Sequence, residues 1–530
     1  MHPQSGVLSA LTMGCNIAQV IRHWALADPT RVALVLADHG QRELTYGELD
    51  QRARRAGARL TALGFGVGDR LALSVPNGLG FVDAWFGGLY AGCTLLPIPP
   101  MSAAREIAVR IAHARCVALI ASADMLASGG VAAEALAQSV ASGAVPTRGV
   151  DVDTLEEAEG MLDAPRDLPA DSVAMLLYTS GTTGVSKGAM ISHASLGIHT
   201  AALVHHVLLL SASDRVLAAL PLTHSYGIRM TLLAPFYAGA RVVLSERFRA
   251  DVVRRTLVEA QISWFPGVPT MFHALAHDDS AAVLPSTLRW CLSAGAPLPR
   301  EVRLRAEQKL GVPVRQGFGL TEATFSTIAR PDDHGAEDTV GRPVFGIEVR
   351  IVDDQQRVLP HGTAGEVCIR GANVMAGYLD DPEATAGAVR DGWLHSGDVG
   401  VLDSEGRLTI VDRIKDMIIR GGFNVYPAEI EAVLVEHPAI RDAVVVGLPD
   451  ERYGEEVLAA LVLHPGAVLA PNELSGFCRA RLSRVKVPRL LSILEELPVG
   501  PSGKVLRREV RRRALAGELT IAKLPLQEGG

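Results

Sequence analysis

Between Tyr178 and Gly188 the chain reads Tyr-Thr-Ser-Gly-Thr-Thr-Gly-Val-Ser-Lys-Gly, and few local folds suit such a segment. The apolar run Val173 to Leu177 precedes it, and Ala189-Met190-Ile191 follows as a second short run. Ser192 is then a cap for the next helix, so the local pattern is strand, loop, strand, helix. Gly181 and Gly184 let the backbone turn tightly and bring its N–H groups against an anion. Hydroxyls at Thr179, Ser180, Thr182 and Thr183 add donors, and Lys187 adds a positive charge. Such a loop suits a polyphosphate. It is not the G-x-x-x-x-G-K-[ST] loop, because Lys187 does not directly follow a glycine and no helix starts there. A plain solvent-exposed turn is the alternative, and the density of hydroxyls, glycines and a lysine argues against it.

The surrounding pattern sets the fold class. Val32 to Leu36, Arg70 to Val75 and Thr94 to Pro97 read as buried strands, as do Arg241 to Leu244, Ile262 to Phe265 and Leu288 to Ser293. Helical stretches lie between them. One opens after Thr45, with Thr45 as N-cap and Glu48 at the third helical position. Strands alternating with helices imply parallel sheet covered by helices. After about Thr339 the texture changes to period-two alternation, at Ile347 to Val352 and Gly365 to Arg370. A hairpin turn is expected at Asp403 to Gly406. The last part, from about Asp416, is short α+β. The expected class is α/β: a large N-terminal domain of helix-covered sheets with a β-rich, barrel-like annex, then a small α+β C-terminal domain.

Bulk properties narrow the function. A chain of 530 residues is too long for one compact core. A net charge of -7 does not ask for nucleic acid. Six scattered cysteines lack metal-ligand spacing and are too sparse for a disulfide scaffold, so a reducing cytoplasm is the expected location. The most apolar stretch, Leu71 to Pro100, is broken by Pro76, Asn77, Gly78, Gly80 and Asp83, so no membrane span is expected.

Further motifs follow the loop in order. They are Pro221-Leu222-Thr223-His224, then Gln316 to Glu322 (Gln-Gly-Phe-Gly-Leu-Thr-Glu), then Trp393-Leu394-His395-Ser396-Gly397-Asp398. Asp412-Arg413-Ile414-Lys415-Asp416 with Gly421-Gly422 comes next, and Leu497-Pro498 leads to Gly503-Lys504. With these in order the chain resembles the adenylate-forming superfamily of acyl-CoA synthetases, aryl-CoA ligases, peptide-synthetase adenylation domains and luciferases. The resemblance implies a carboxylic acid activated as its acyl-adenylate with release of pyrophosphate, using ATP and Mg²⁺. The acyl group then passes to coenzyme A or, alternatively, to a carrier protein acting in trans. It also implies an adenylation domain over residues 1–412, a hinge at 413–415 and a mobile C-terminal domain over 416–530.

Roles follow by the same resemblance. Residues 179–184 and Lys187 hold the phosphates, Thr321 contacts phosphate and Glu322 holds Mg²⁺. Phe318 stacks on adenine where the family more often has tyrosine, so the flat face is kept and one hydroxyl lost. Gly319 and the turn Gly295-Ala296-Pro297 complete the adenine pocket. Asp398 accepts the ribose hydroxyls, and Arg413 reaches ribose or phosphate. Lys504 bridges the carboxylate and the α-phosphate. Lys415 is the hinge, and Gly421 and Gly422 admit the pantetheine arm. His224 and Gly317 line the acyl pocket, with Gly317 leaving room for a medium or long acyl chain or an extended aryl acid; close packing is its alternative reading.

Two features stay open. Arg229 stands alone in the apolar run Ile228 to Ala234, either paired inside the fold or facing a polar substrate group. The arginines 507, 508 and 511–513 read as a solvated helix face, with CoA phosphate as the weaker alternative. No acidic residue accompanies His224 in Thr223 to Tyr226 to hold an α-amine, which disfavours amino acids as substrates. The motifs do not exclude a luciferase-like oxygenase. A degenerate nucleotide-binding relative would have lost Glu322 or Lys504, and both are present.

Overall fold

The computed structural model describes residues 16–38, 40–144, 146–179, 187–277, 287–333, 335, 338–420, 423–451, 453–499 and 505–524. The chain divides into two compact units, Met1–Val349 with Ile369–Leu394, and Arg350–Cys368 with His395–Gly530. The boundary falls within the strands Ile347–Val352, Gly365–Gly371 and Trp393–Leu402, so the β-rich segment expected after Thr339 contributes strand to both units.

Two large sheets form the first unit. Among the described residues one runs, in spatial order, Gly377–Tyr378, Lys187–Ser192, Val173–Thr179, Thr94–Pro97, Arg70–Ser74, Ala118–Ala121 and Arg148–Asp151. Its middle strands are parallel, and Lys187–Ser192 returns antiparallel on Val173–Thr179. The other sheet has a parallel centre of Val32–Leu36, Arg241–Leu244, Arg215–Ala218, Trp264–Gly267, Trp290–Ala294 and Val314–Phe318. Antiparallel strands finish it at both edges, Arg42–Thr45 on one side and Thr327–Ile328 followed by Arg342–Pro343 on the other.

Local chemistry accounts for these elements. Helix Tyr46–Ala62 starts at a capping box: Thr45 Oγ1 accepts from the Glu48 N–H at 3.2 Å, and Glu48 Oε2 accepts from the Thr45 N–H at 2.7 Å. Helix Leu79–Ala91 lies within the apolar stretch Leu71 to Pro100, is buried along most of its length, and ends at Gly92 with φ 84°. Its one acid, Asp83, is paired with Arg52 through both oxygens, at 3.0 and 2.6 Å. No helix among the described residues is long and apolar enough to cross a membrane.

In the second unit, strands Trp393–Leu402 and Leu408–Arg413 form the expected hairpin. Beyond it, Ile440–Asp450 and Gly454–Leu463 pair antiparallel, and Leu490–Ile493 joins in parallel. Helices Pro427–Leu434 and Pro471–Arg479 bury Ile430, Leu434, Leu474 and Cys478 in one core with Val445, Val457 and Leu461. Helix Arg507–Leu515 covers the other face through Val510 and Ala514. Arg508, Arg511 and Arg512 are exposed, as expected of a solvated face, while Arg507 is drawn inward. Arg507 grips Glu431 at 2.8 Å, Arg511 donates to the Gly447 carbonyl, and Arg512 pairs with Glu509 and Glu518.

Candidate active site

In the first unit several of the expected residues lie at the C-terminal ends of parallel strands in the two sheets, the positions at which open α/β sheets bind ligands. Thr179 ends Val173–Thr179, and Gly295-Ala296-Pro297 leaves Trp290–Ala294 as an exposed turn with Gly295 at φ 91°. Phe318 ends Val314–Phe318, and Ala294 stands opposite Gly317 in register. Leu298 N–H donates to Gln316 Oε1, which ties the Gly295 turn to the next strand. After Phe318 the chain folds back sharply. A Cβ on Gly319 would come within 2.2 Å of the Phe325 nitrogen, so only glycine fits there.

Lys187 and Glu322 are far apart in sequence, yet Tyr378 contacts both. Its hydroxyl donates to Glu322 Oε1 at 2.8 Å, while Lys187 Nζ lies 5.2 Å from its ring centroid. Strand Gly377–Tyr378 pairs with Lys187–Ser192, Tyr378 opposite Ala189, and the Met375 N–H donates to the Glu322 carbonyl. Asp381 lies 3.8 Å from Lys187. Sequence reasoning missed Tyr378 and Asp381. A two-residue strand is too short to show periodicity, and neither residue falls in a motif. Burial and the Glu322 carboxylate together hold the Tyr378 hydroxyl well above its ordinary pKa, so it remains a donor. Glu322 Oε2 takes no hydrogen bond from a described residue, which suits a cation that keeps most of its waters.

The Pro221 to His224 turn is held from several sides. Asn77, also missed, accepts from the Leu222 N–H and donates to the Leu220 carbonyl, both at 2.8 Å. Tyr226 brings its hydroxyl within 3.0 Å of the Gly267 carbonyl and 2.9 Å of the Leu292 carbonyl. Ser225 Oγ and Thr324 Oγ1 are 2.7 Å apart. A Cβ on Gly227 would strike the Pro221 carbonyl at 2.2 Å. His224 itself is half-buried at the start of the short helix Ser225–Gly227. Gly317 is buried in regular strand geometry, and a Cβ there would meet Ile328 and Phe325 at 3.3 Å and Leu292 at 3.4 Å. The space at its α-carbon is thus closely packed by protein side chains.

In the second unit Asp398 is buried and stands opposite Arg413 across the hairpin. Arg413 Nε contacts Asp398 Oδ1 at 3.1 Å, and Oδ2 has no donor among the described residues. Burial raises the Asp398 carboxyl to about 6, against the opposing pull of Arg413 and Lys415. Lys415 lies in the turn after Arg413, and burial lowers its ammonium from the usual lysine range. Asp412 accepts from the Ala428 N–H at 2.8 Å, and Arg507 reaches Asp412 at 3.6 Å and Asp416 at 3.5 Å. Ser180, Gly181, Thr182, Thr183, Gly184, Gly421, Gly422 and Lys504 lie outside the described residues.

Comparison with known proteins agrees with this arrangement. Residues 21–379 match the family described as AMP-binding enzyme, and residues 429–504 match the AMP-binding enzyme C-terminal domain. Feruloyl-CoA synthase from Amycolatopsis sp is 36% identical over 483 residues, 90% of this chain and 95% of that protein. Sulfoacetate–CoA ligase from Cupriavidus necator is 33% identical over 511 residues, 95% of this chain and 98% of that one. Among solved structures, ATP-bound MatB from Rhodopseudomonas palustris superposes with a TM-score of 0.86 at 28% identity, covering 93% of this chain and 98% of that chain. The o-succinylbenzoate CoA synthetase of Bacillus subtilis, in complex with its acyl-adenylate intermediate, gives 0.83 at 28% identity, covering 94% and 98%.

The chain belongs to the AMP-binding enzyme family, the adenylate-forming superfamily that its motifs resemble. Within that family it is an AMP-forming acid–thiol ligase.

Proposed function

We propose that this protein activates a fatty or aryl carboxylic acid as its acyl-adenylate and transfers the acyl group to coenzyme A. The observation that carries the reading is the meeting of Lys187 and Glu322 at Tyr378. Adenylation brings a carboxylate against the α-phosphorus while pyrophosphate departs, and it needs cations and fixed donors for the growing charge. Lys187 supplies a cation beside the loop of residues 179–184. Glu322 would hold Mg²⁺, which would supply positive charge to neutralise the phosphates.

The remaining roles follow from local geometry. Phe318 offers a flat face at a strand end beside the Gly295 turn, which suits adenine. Asp398 has an acceptor oxygen, Oδ2, free for ribose, with Arg413 fixing the other. Lys504 bridges the acid and the α-phosphate. Lys415 is the pivot between the two half-reactions, with residues 416–530 as the moving part and Gly421-Gly422 admitting the thiol arm. His224 stands beside the acid, on a turn held by Asn77 and Tyr226. Coenzyme A as acceptor rests on the relatives, which are named CoA synthases and ligases.

Acid-dependent exchange of labelled pyrophosphate into ATP tests the first half-reaction across fatty, aryl and dicarboxylic acids. Thioester formation with coenzyme A, read separately, tests the second. Exchange with at least one acid and its conversion to the thioester are expected. Absence of exchange across the panel would contradict the proposal.

A further inference from the structure

Arg229 lies in the apolar π-helical segment Ile228–Leu233 and is fully buried. Its Nη1 donates to His199 Nδ1 at 3.1 Å. The other ring nitrogen of that histidine, Nε2, lies 3.1 Å from the Phe325 carbonyl. A guanidinium only donates and a carbonyl only accepts, so the His199 proton must sit on Nε2. His199 is therefore neutral, and burial together with the Arg229 charge depresses its pKa to about 3. It offers Arg229 no countercharge.

The rest of the guanidinium is unused. Nε and Nη2 have no acceptor among the described residues, and no carboxylate among them pairs with Arg229. Three other deeply buried arginines behave differently. Arg303 holds Glu307 and Asp338, Arg315 holds Glu307, and Arg420 holds Glu456. Burying an unpaired charge is costly, and a fold that needed only to fill this space would place an aliphatic side chain there. Nε and Nη2 also share one edge of the guanidinium. That edge presents two parallel N–H bonds, the geometry that holds a carboxylate or sulfonate by two oxygens.

Arg229 lies close in the fold to residues assigned above to the acid. Arg229 follows His224 by five residues on the same segment. Through His199 it connects to Phe325, whose ring packs on Tyr226 at 4.8 Å and also bounds the space at Gly317. We infer that Arg229 recognises a second anionic group on the acid substrate, a carboxylate or sulfonate remote from the carboxylate that is activated. The inference rests on the acyl-CoA ligase reading and names its substrate class. The enzyme then prefers acids with two anionic ends over acids of equal length with an uncharged tail.

The test uses matched pairs with the wild-type protein: hexanoate against adipate, 3-phenylpropanoate against its 4-carboxy derivative, and hexanoate against 6-sulfohexanoate. Pyrophosphate release in the presence of coenzyme A gives kcat/KM for each. At least one doubly anionic acid should exceed its partner by about tenfold or more, and the two terminal groups separate carboxylate from sulfonate recognition. Arg229→Met should lower that ratio on the order of 10²-fold, as expected when one partner of a buried charge pair is removed. Arg229→Lys, which keeps the charge and loses the fork, should fall between. A wild-type preference for the uncharged tail in every pair would overturn the inference, and needs no variant that must fold. So would a ratio unchanged in Arg229→Met with both rates reduced equally, the mark of a structural arginine. Turnover of uncharged-tail acids alone would leave the ligase reading standing, whereas no turnover of any acid would remove both.

Discussion

The Tyr378 hydroxyl donates to Glu322 Oε1 at 2.8 Å, and the same ring lies 5.2 Å from Lys187 Nζ. Tyr378 therefore fixes the candidate metal-binding carboxylate beside the candidate phosphate-binding lysine. A hydrogen bond to a charged group is worth about 1.5–3 kcal/mol. Tyr378→Phe should accordingly raise the Mg²⁺ concentration needed for half-maximal pyrophosphate exchange by roughly tenfold, with little change in Tm. A Mg²⁺ titration of both proteins checks this; superimposable curves would remove Tyr378 from the site.

Asp398 gives a pH dependence with a definite sign. Burial lifts its folded-state pKa to about 6, from an ordinary aspartate value of 3.8. Its stability contribution is therefore greatest below the unfolded value and is lost as pH rises through 6. Nucleotide binding runs the other way, because only the carboxylate can accept from ribose with both oxygens. The KM for ATP should rise as pH falls below about 6, approaching tenfold per unit. Asp398→Asn should raise KM at neutral pH and abolish the acid limb. A flat KM between pH 5 and pH 7 in the wild-type protein contradicts the ribose assignment.

Gly317 tests acid size. Its α-carbon already faces Ile328, Phe325 and Leu292 at 3.3–3.4 Å from a Cβ position, so Gly317→Leu must push those side chains outward. Overpacking of this kind costs roughly 1–3 kcal/mol. If Phe325 moves toward the acid, long acids should lose kcat/KM at least tenfold more than short ones. Uniform loss with a lowered Tm would show that the glycine serves packing alone.

Much of this was legible in the sequence because its signals are local. Continuous apolar runs marked the buried strands, and Thr45 with Glu48 marked a helix start. Errors came where a local rule yields to packing. The strand expected at Ile262 to Phe265 is Trp264–Gly267, and it carries Pro266 in a central parallel strand, where propensity argues against proline. The helix that the pattern places at Glu429 to His437 is Pro427–Leu434, beginning two residues earlier with Pro427 in the first turn. The arginine run near the C-terminus is exposed at Arg508, Arg511 and Arg512 as expected, but Arg507 is held by Glu431 and Arg511 by Glu455, partners that lie far along the chain. Tyr378, Asp381 and Asn77 were invisible for the same reason: their partners are set by sheet pairing and not by spacing.

The hinge prediction separates the half-reactions. The Lys415 N–H makes no backbone hydrogen bond among the described residues, so proline removes no donor there, but it restricts Ile414 inside the turn that the Asp416 N–H closes on the Arg413 carbonyl. Lys415→Pro should leave pyrophosphate exchange within a few-fold of wild type and stall thioester formation. A thermal melt within a few degrees of wild type would show that the fold is intact. Equal loss of both half-reactions in a folded protein would contradict the pivot.

The central claim is that the protein makes an acyl-adenylate before it makes a thioester, and Lys504→Ala measures it most directly. Two assays are run on wild type and variant: acid-dependent pyrophosphate exchange, and thioester formation from coenzyme A and chemically supplied acyl-adenylate. Loss of one charged transition-state contact should cost on the order of 10²- to 10³-fold. The account predicts that loss in exchange, with thioester formation from the supplied adenylate close to wild type. Normal exchange in Lys504→Ala, or equal loss in both assays by a folded protein, would contradict it.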